Sequence, residues 1–411
     1  MERGAMPNGI HIAIVVYGHL YTELLSDITL WNVAELVLEI PEDLRSLSRV
    51  RILTTESDKA TLEAAPALKL LRSRISVDLL DGARLGGYEK HSEYGPMVES
   101  QRLLVADAAR NEAALIFFGP DLIYSRGSFA LFVDCLRKGF RLVIGPGPRV
   151  NREAARPLLK QIIAESPDGG FAFNGEQQAD FLFKHWHKIN DQFFIENPES
   201  LWWKAYVCYR PRPNEVLFRF LQGPTFMAWP RKPKDDFDGF VDHHLPDLCC
   251  ASWRDMYVVP DGNECLALDL TDDDRIEVMD MATFPKVFLL YSFFQHSAVK
   301  TLKLLYSLRT CRVGRGEPDK KLVEKWKREF DRALDPLILV ALLERKISHR
   351  IGPRAAAVFR GFCLLNTHTL GFLFGSIAPI LLRKWKSNRP PRGYEPAQTG
   401  PNATQTVLPN R

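Results

Sequence analysis

The sequence predicts an α/β protein, a mainly parallel sheet with helices on both faces, followed by a helical carboxyl-terminal region. Three observations predict it. Apolar, β-branched runs of strand length recur at residues 10–18, 50–55, 75–80, 114–118 and 141–144, and runs without polar alternation suit strands buried on both faces. Between them lie segments whose apolar residues recur at three- and four-residue spacing, the period of a helix. With 411 residues, 46% hydrophobic and 25% charged, the chain has apolar material for one large core or two smaller ones and is not disordered through most of its length.

In chain order, IHIAIVVYG at 10–18 reads as a buried first strand ending at a glycine. A helix around 26–38 leads to a strand at 50–55, a helix over 59–72 to the run at 75–80, and a helix over 95–111 into Ala114–Phe118. A helix near 129–138 precedes the strand 141–144, and residues 152–164 are helical. Strand and helix alternate throughout, so any ligand site is expected beyond the carboxyl ends of the strands. After Asn151 the texture changes to an irregular stretch rich in Trp, Phe and Pro. Residues 256–259 and 264–270 look like a strand pair across the Asp261-Gly262 turn. This α/β part is taken as residues 1–283, a helical basic region as 284–386, and a Pro/Gly-rich polar tail, expected to be disordered, as 387–411.

P-loop nucleotide hydrolysis, standard dinucleotide oxidoreduction and the commonest hydrolases lose their usual support. There is no Walker A loop, GxGxxG, GxSxG, HExxH or EF-hand loop. The seven cysteines include no CxxC pair and no zinc-type spacing, which argues for a reducing compartment. No signal-peptide core follows MERGAMPNG, so export by that route is not expected.

What remains centres on one acid. In AALIFFGPDLIYSRGSF, from Ala113, Asp121 comes directly after a buried strand, where it can hold a divalent cation over a nucleotide diphosphate; it also reads as a turn-forming Asp after Pro120. The opening strand, VRILTTESDK at 50–59, MVESQRLLVADAA at 97–109 and the strand leading into Gly119-Pro120-Asp121 together resemble the GT-A class of glycosyltransferases. The turn at 124–128 and the segment Phe237-Asp238-Gly239-Phe240-Val241-Asp242 are similar to those of bacterial proteins of that kind. The resemblance covers roughly residues 10–275. It implies a GT-A-like layered sandwich and transfer of a sugar from a nucleotide-sugar donor to a hydroxyl acceptor, in cell-envelope glycan or glycolipid synthesis. The alternative is a catalytically inactive nucleotide-sugar-binding or scaffold protein at the membrane.

One departure bears on the metal. The GT-A motif is Asp-x-Asp, and this chain has Gly119-Pro120-Asp121, so a manganese or magnesium ion would have one carboxylate fewer. Asp121 and His243 are the candidate metal contacts. Within DDFDGFVDHHLPD at 235–247, Asp238 and Asp242 are candidates for the base that takes the acceptor hydroxyl proton, because a sugar hydroxyl is a weak nucleophile at neutral pH; the same run also reads as an acidic surface loop. Tyr17, Gly18 and His19 at the end of the first strand, and Thr54 and Asp58 at the end of the second, are placed where a nucleotide would rest. Lys90, in a Gly-flanked loop at 86–95, is a candidate phosphate contact. Arg149, after the Pro/Gly turn at 145–148, can counter donor phosphates; the same stretch also reads, and better on its own, as a plain turn before a helix.

The charge is uneven. The formal net charge is +4, but residues 296–411 carry 22 Lys and Arg against 8 Asp and Glu, a surplus of 14, so the rest carries −10. Gly361–Leu382 contains no Asp, Glu, Lys or Arg and is closed by Arg383-Lys384-Trp385-Lys386. It is long enough to enter a bilayer and also reads as buried helix. The expected partner besides donor and acceptor is an anionic membrane surface, with the protein cytoplasmic, peripheral or embedded at the inner face, and no nucleic acid.

Overall fold

The computed structural model describes residues 6–82, 95–194, 206–220, 224–231, 241–272 and 309–328, apart from 168 and 317–318, and scattered positions between 343 and 359. The chain divides into two compact units, Met1–Asp331 and Arg332–Arg411. In the second, the described positions are short helical stretches.

Thirteen strands run in order through the described residues of the first unit: β1 (Ile10–Val15), β2 (Arg49–Thr54), β3 (Ser76–Asp81), β4 (Ala114–Phe118), β5 (Leu122–Tyr124), β6 (Leu142–Ile144), β7 (Arg149–Asn151), β8 (Tyr206–Arg212), β9 (Glu215–Phe220), β10 (Thr225–Ala228), β11 (Met256–Val258), β12 (Ala267–Thr271) and β13 (Thr310–Gly314). The main sheet has the order β11-β6-β10-β4-β1-β2-β3. All its neighbours are parallel except β10, which runs antiparallel to both β4 and β6. This is the layered, mainly parallel α/β class the sequence predicts. Its core strands are apolar on both faces: Ile10, Ile12, Ile14, Val50, Ile52, Leu115 and Ile116 are fully buried.

The strand order reverses direction at β1, which has β2 on one side and β4 on the other. Ligand crevices of open α/β sheets form beyond the carboxyl ends of strands at such a point. Here that point lies between Tyr17-Gly18 and Gly119-Pro120-Asp121.

The expected elements differ from the observed ones in instructive places. The helix expected over 59–72 is two helices, Glu56–Ala64 and Pro66–Arg74. Pro66 lacks an N–H and pushes Ala65 to an extended conformation (φ −69°, ψ 126°), which ends the first helix and starts the second. The strand pair expected across Asp261-Gly262 is not a pair. β11 adds in parallel to β6 in the main sheet, whereas β12 joins β5 and β7 in a separate three-stranded sheet. The turn residues are drawn elsewhere: Asp261 accepts from the Asn263 N–H, and Gly262 N–H donates to Arg312 O. β13 falls within a stretch read as helical and instead completes a third sheet, β13-β9-β8.

Candidate active site

Two segments flank the point of strand-order reversal on the β1 and β2 side. β1 ends before Gly18, whose φ of 85° and ψ of 141° suit glycine alone. That turn sends the chain into the helix starting at His19 and aims the Gly18 N–H at Asp58 Oδ2, 2.9 Å away. Thr55 Oγ1 donates to the same oxygen at 2.7 Å, and Thr55 caps the helix at 56–64 by accepting from the Asp58 N–H. The two strand ends are thereby tied together. A Cβ built on Gly18 meets nothing within 4 Å, so the space over it is open. Thr54 is buried, and its Oγ1 has no hydrogen-bond partner.

β4 flanks that point on the other side. Its last residue, Phe118, leads into a turn closed by Leu122 N–H donating to Gly119 O at 3.2 Å, with Pro120 second in the turn, where its fixed φ is favoured. The turn reading and the site reading of Asp121 therefore coexist. A Cβ on Gly119 would lie 2.6 Å from Asp121 Oδ1, so the carboxylate folds back over position 119 and takes the room a first acid of Asp-x-Asp would need. Thr29, in a π-helical turn at Leu25–Thr29, donates to Pro120 O at 2.7 Å. Asn32, one turn on, accepts from Tyr124 N–H and donates to Tyr124 O. The hairpin carrying Asp121 is thus fixed from beneath.

The small sheet brings in residues that local sequence pattern did not single out. β12 pairs with β5 and β7, so Asp269 stands opposite Leu122 on one side and Arg149 on the other. The Leu270 N–H donates to Asp121 O at 2.8 Å. Arg149 Nε is 3.5 Å from Asp269 Oδ2, Thr271 Oγ1 donates to Asp269 Oδ1 at 2.7 Å, and Arg152 is bonded to Asp272. Burial, reinforced by the charge of Asp269, pushes the Asp121 carboxyl up to about 7. At neutral pH Asp121 is therefore poised between its two protonation states.

A divalent cation is testable against this donor set. Asp121, buried and within reach of the Asp269 charge, resists ionisation even with Arg149 and Arg152 nearby, and magnesium-type ions take one or two carboxylates plus substrate phosphates rather than a full protein cage. Asp121 and Asp269 fit that role. Among the described residues no group of three or more His, Cys, Asp or Glu is arranged to hold a metal without substrate.

The remaining expected residues are placed as follows. Tyr17 is half-buried beside Gly18. His19 is 83% exposed, 3.4 Å from Glu23 on the outer face of its helix. Asp242 lies in a single turn, Val241–His243, that packs on the helix Gly95–Arg110, close enough to Tyr124 for its charge to act on the phenol. That phenol donates to Phe117 O, near the carboxyl end of β4. Asp238, Lys90 and the His243 side chain lie outside what is described. All six described cysteines are free and buried, Cys249 and Cys250 included. Asp269, Arg152 and Thr29 were missed because what marks them is a partner more than 100 residues away in the chain (about 90 for Thr29).

No family model and no curated protein matches the sequence. Among solved structures the chain is similar to mouse xyloside xylosyltransferase 1 in its apo form, at 16% identity and a TM-score of 0.25, over 39% of this chain and 61% of that one. It is also similar to the mannosyltransferase PcManGT of Pyrobaculum calidifontis in complex with GDP-Man and Mn2+, at 10% identity and a TM-score of 0.33, over 93% of this chain and 87% of that one. The chain thus spans about three-fifths of the length of the mouse enzyme.

Proposed function

We propose that the protein is a glycosyltransferase that moves a sugar from a nucleotide-sugar donor to a hydroxyl acceptor, in cell-envelope glycan or glycolipid synthesis at the cytoplasmic face of a membrane. The observation that carries the reading is Asp121: an acid held at the carboxyl end of β4, beside the reversal of strand order, by bonds from Thr29 and β12, at the cost of a raised pKa.

In this reading the open space over Gly18 receives the nucleoside, with Tyr17 available to stack and the unpartnered Thr54 hydroxyl and Asp58 available for polar contacts. Arg149 opposes the diphosphate charge. A cation held by Asp121 and Asp269 would supply the positive charge that stabilises a departing nucleoside diphosphate. Asp242, or Asp238 in the same segment, takes the acceptor hydroxyl proton. Replacing the base, Asp242→Asn or Asp238→Asn, lowers turnover by about 10²- to 10⁴-fold with donor binding retained. Release of nucleoside diphosphate from a panel of nucleotide sugars, with and without manganese, is the test; no release from any donor, with binding intact, leaves the inactive binder. That second reading draws on Gly119, which stands where the first acid of the motif would be.

A further inference from the structure

β7, the strand of Arg149, is three residues long and lies at one edge of the small sheet, bonded to β12 on its inner side. Along its outer side runs the segment 185–187: Val150 pairs antiparallel with Trp186, Asn151 N–H donates to His185 O at 2.8 Å, and His187 N–H to Arg149 O at 3.2 Å. There the chain turns away into the single turn Lys188–Phe193. Asn190 reaches back from that turn, its Oδ1 accepting the Arg149 N–H at 3.0 Å and its Nδ2 donating to Arg149 O at 2.6 Å. His187 holds the neighbouring strand. Its Nδ1 accepts the Ile189 N–H, which leaves the ring proton on Nε2, 2.9 Å from Asp272 O just after β12. Both side chains are buried.

A planar amide that both accepts from and donates to one residue takes the place of a neighbouring strand's peptide. The same device recurs on β5, the opposite edge of the sheet, where the buried Asn32 accepts from the Tyr124 N–H and donates to Tyr124 O. The two outer strands are thus each pinned at one residue, on either side of the strand of Asp269. What Asn190 pins is not a core residue: the Arg149 side chain is 37% exposed, with Nε 3.5 Å from Asp269 Oδ2, so a ligand can reach it. Fixing the main chain of such a residue fixes the origin of a long, mobile guanidinium. A displacement of about 1 Å at a group that orients a substrate can cost about 10²-fold in rate.

We infer that Asn190 is a positioning residue for the donor diphosphate, acting through the main chain of Arg149 to set its guanidinium beside Asp269. The inference rests on the donor-site reading above. The test is a double-mutant cycle in the full chain, read by calorimetry as affinity for uridine, guanosine, adenosine and cytidine diphosphates with manganese, taking the tightest binder. Arg149→Ala is expected to lose about 10- to 100-fold in that affinity, as loss of a charged hydrogen bond does. Asn190→Ala is expected to lose about 10-fold in the wild-type background and less than about 2-fold in the Arg149→Ala background, because the two act as one unit. A merely structural Asn190 would cost the same in both. Arg51→Ala, which breaks the pair with Asp107 at the other end of the sheet, is the control and is expected to bind as the wild type does. If Asn190→Ala does not fold, Asn190→Ser replaces it in the cycle; failure of both to fold overturns the inference, since the residue would then serve the fold itself. Equal losses in the two backgrounds, or none in either, overturn it too and leave the transferase reading standing. Binding and coupling as expected with no turnover of any nucleotide sugar leave the inference and remove the transferase. A wild type that binds none of the four diphosphates overturns both.

Discussion

The two ends of the main sheet are built on opposite electrostatic plans. At the amino end, charges are matched: Arg51 of β2 is bonded to Asp107, and Asp78 of β3 lies 3.7 Å from Arg51 and 3.6 Å from Arg49. His11 of β1 sits beside Asp107 at 3.3 Å, buried and held neutral because burial brings its pKa down to about 4. At the carboxyl end, Asp121 and Asp269 oppose each other, Thr54 keeps an unpartnered hydroxyl and Gly18 adopts a backbone that other residues avoid. Both ends hold a buried titratable group, but only the carboxyl end combines one with a glycine-only backbone beside the reversal of strand order, which marks it as the functional end.

The largest effect should come from breaking the matched end. Arg51→Ala leaves Asp107 half-buried without its cation and is expected to cost about 3 kcal/mol, measured as a lower urea midpoint, with donor binding unchanged. Comparable loss of donor binding would mean the two ends are not separate. Gly18→Ala comes next, about 1–3 kcal/mol, since alanine is strained at φ 85° even with open space around its Cβ; here donor binding should fall too, because the Gly18 N–H is re-aimed away from Asp58.

The pH dependence sharpens the contrast. A histidine whose folded pKa is lowered makes stability rise with pH, here from about 4 to 6.5. A carboxyl whose folded pKa is raised does the reverse: the folded state keeps its proton longer than the unfolded one, so stability falls as pH rises from 3.8 to about 7. The two slopes oppose each other over most of that window. Asp121→Asn should therefore give a melting temperature that climbs with pH, higher than wild type at pH 8 and equal to it at pH 4. His11→Asn should give one that falls. Parallel curves for wild type and Asp121→Asn would show that Asp121 is not strained. The smallest effect is Thr54→Val, near neutral in stability because the hydroxyl it removes has no partner, yet weaker in donor binding.

How much of this was legible in the sequence follows the same divide. β1, β2, β4 and β6 were readable because their buried residues form short apolar runs, and β3, a half-exposed edge strand, because its alternating apolar residues follow a helix. The sequence also placed Asp121 at a strand end. β12 was readable as a strand but not in its partnership, because nothing local says that Ala267–Thr271 pairs with residues 122–124 and 149–151 rather than with its neighbour β11. Asp269 becomes notable only through that long-range pairing. The three-residue strands β5 and β7 are too short to leave a period.

The measurement that tests the account most directly is thermal protection by nucleotide sugars in the presence of manganese, compared between wild type, Arg51→Ala and Asp121→Asn at pH 8. A ligand that binds only the folded state at about 100 times its Kd adds about 2.7 kcal/mol of stability, a shift of several degrees. At least one nucleotide sugar is expected to raise the midpoint of wild type and Arg51→Ala alike and to leave Asp121→Asn where it was. No shift with any donor, or a full shift in Asp121→Asn, would contradict the assignment of the carboxyl end of β4 as the donor site.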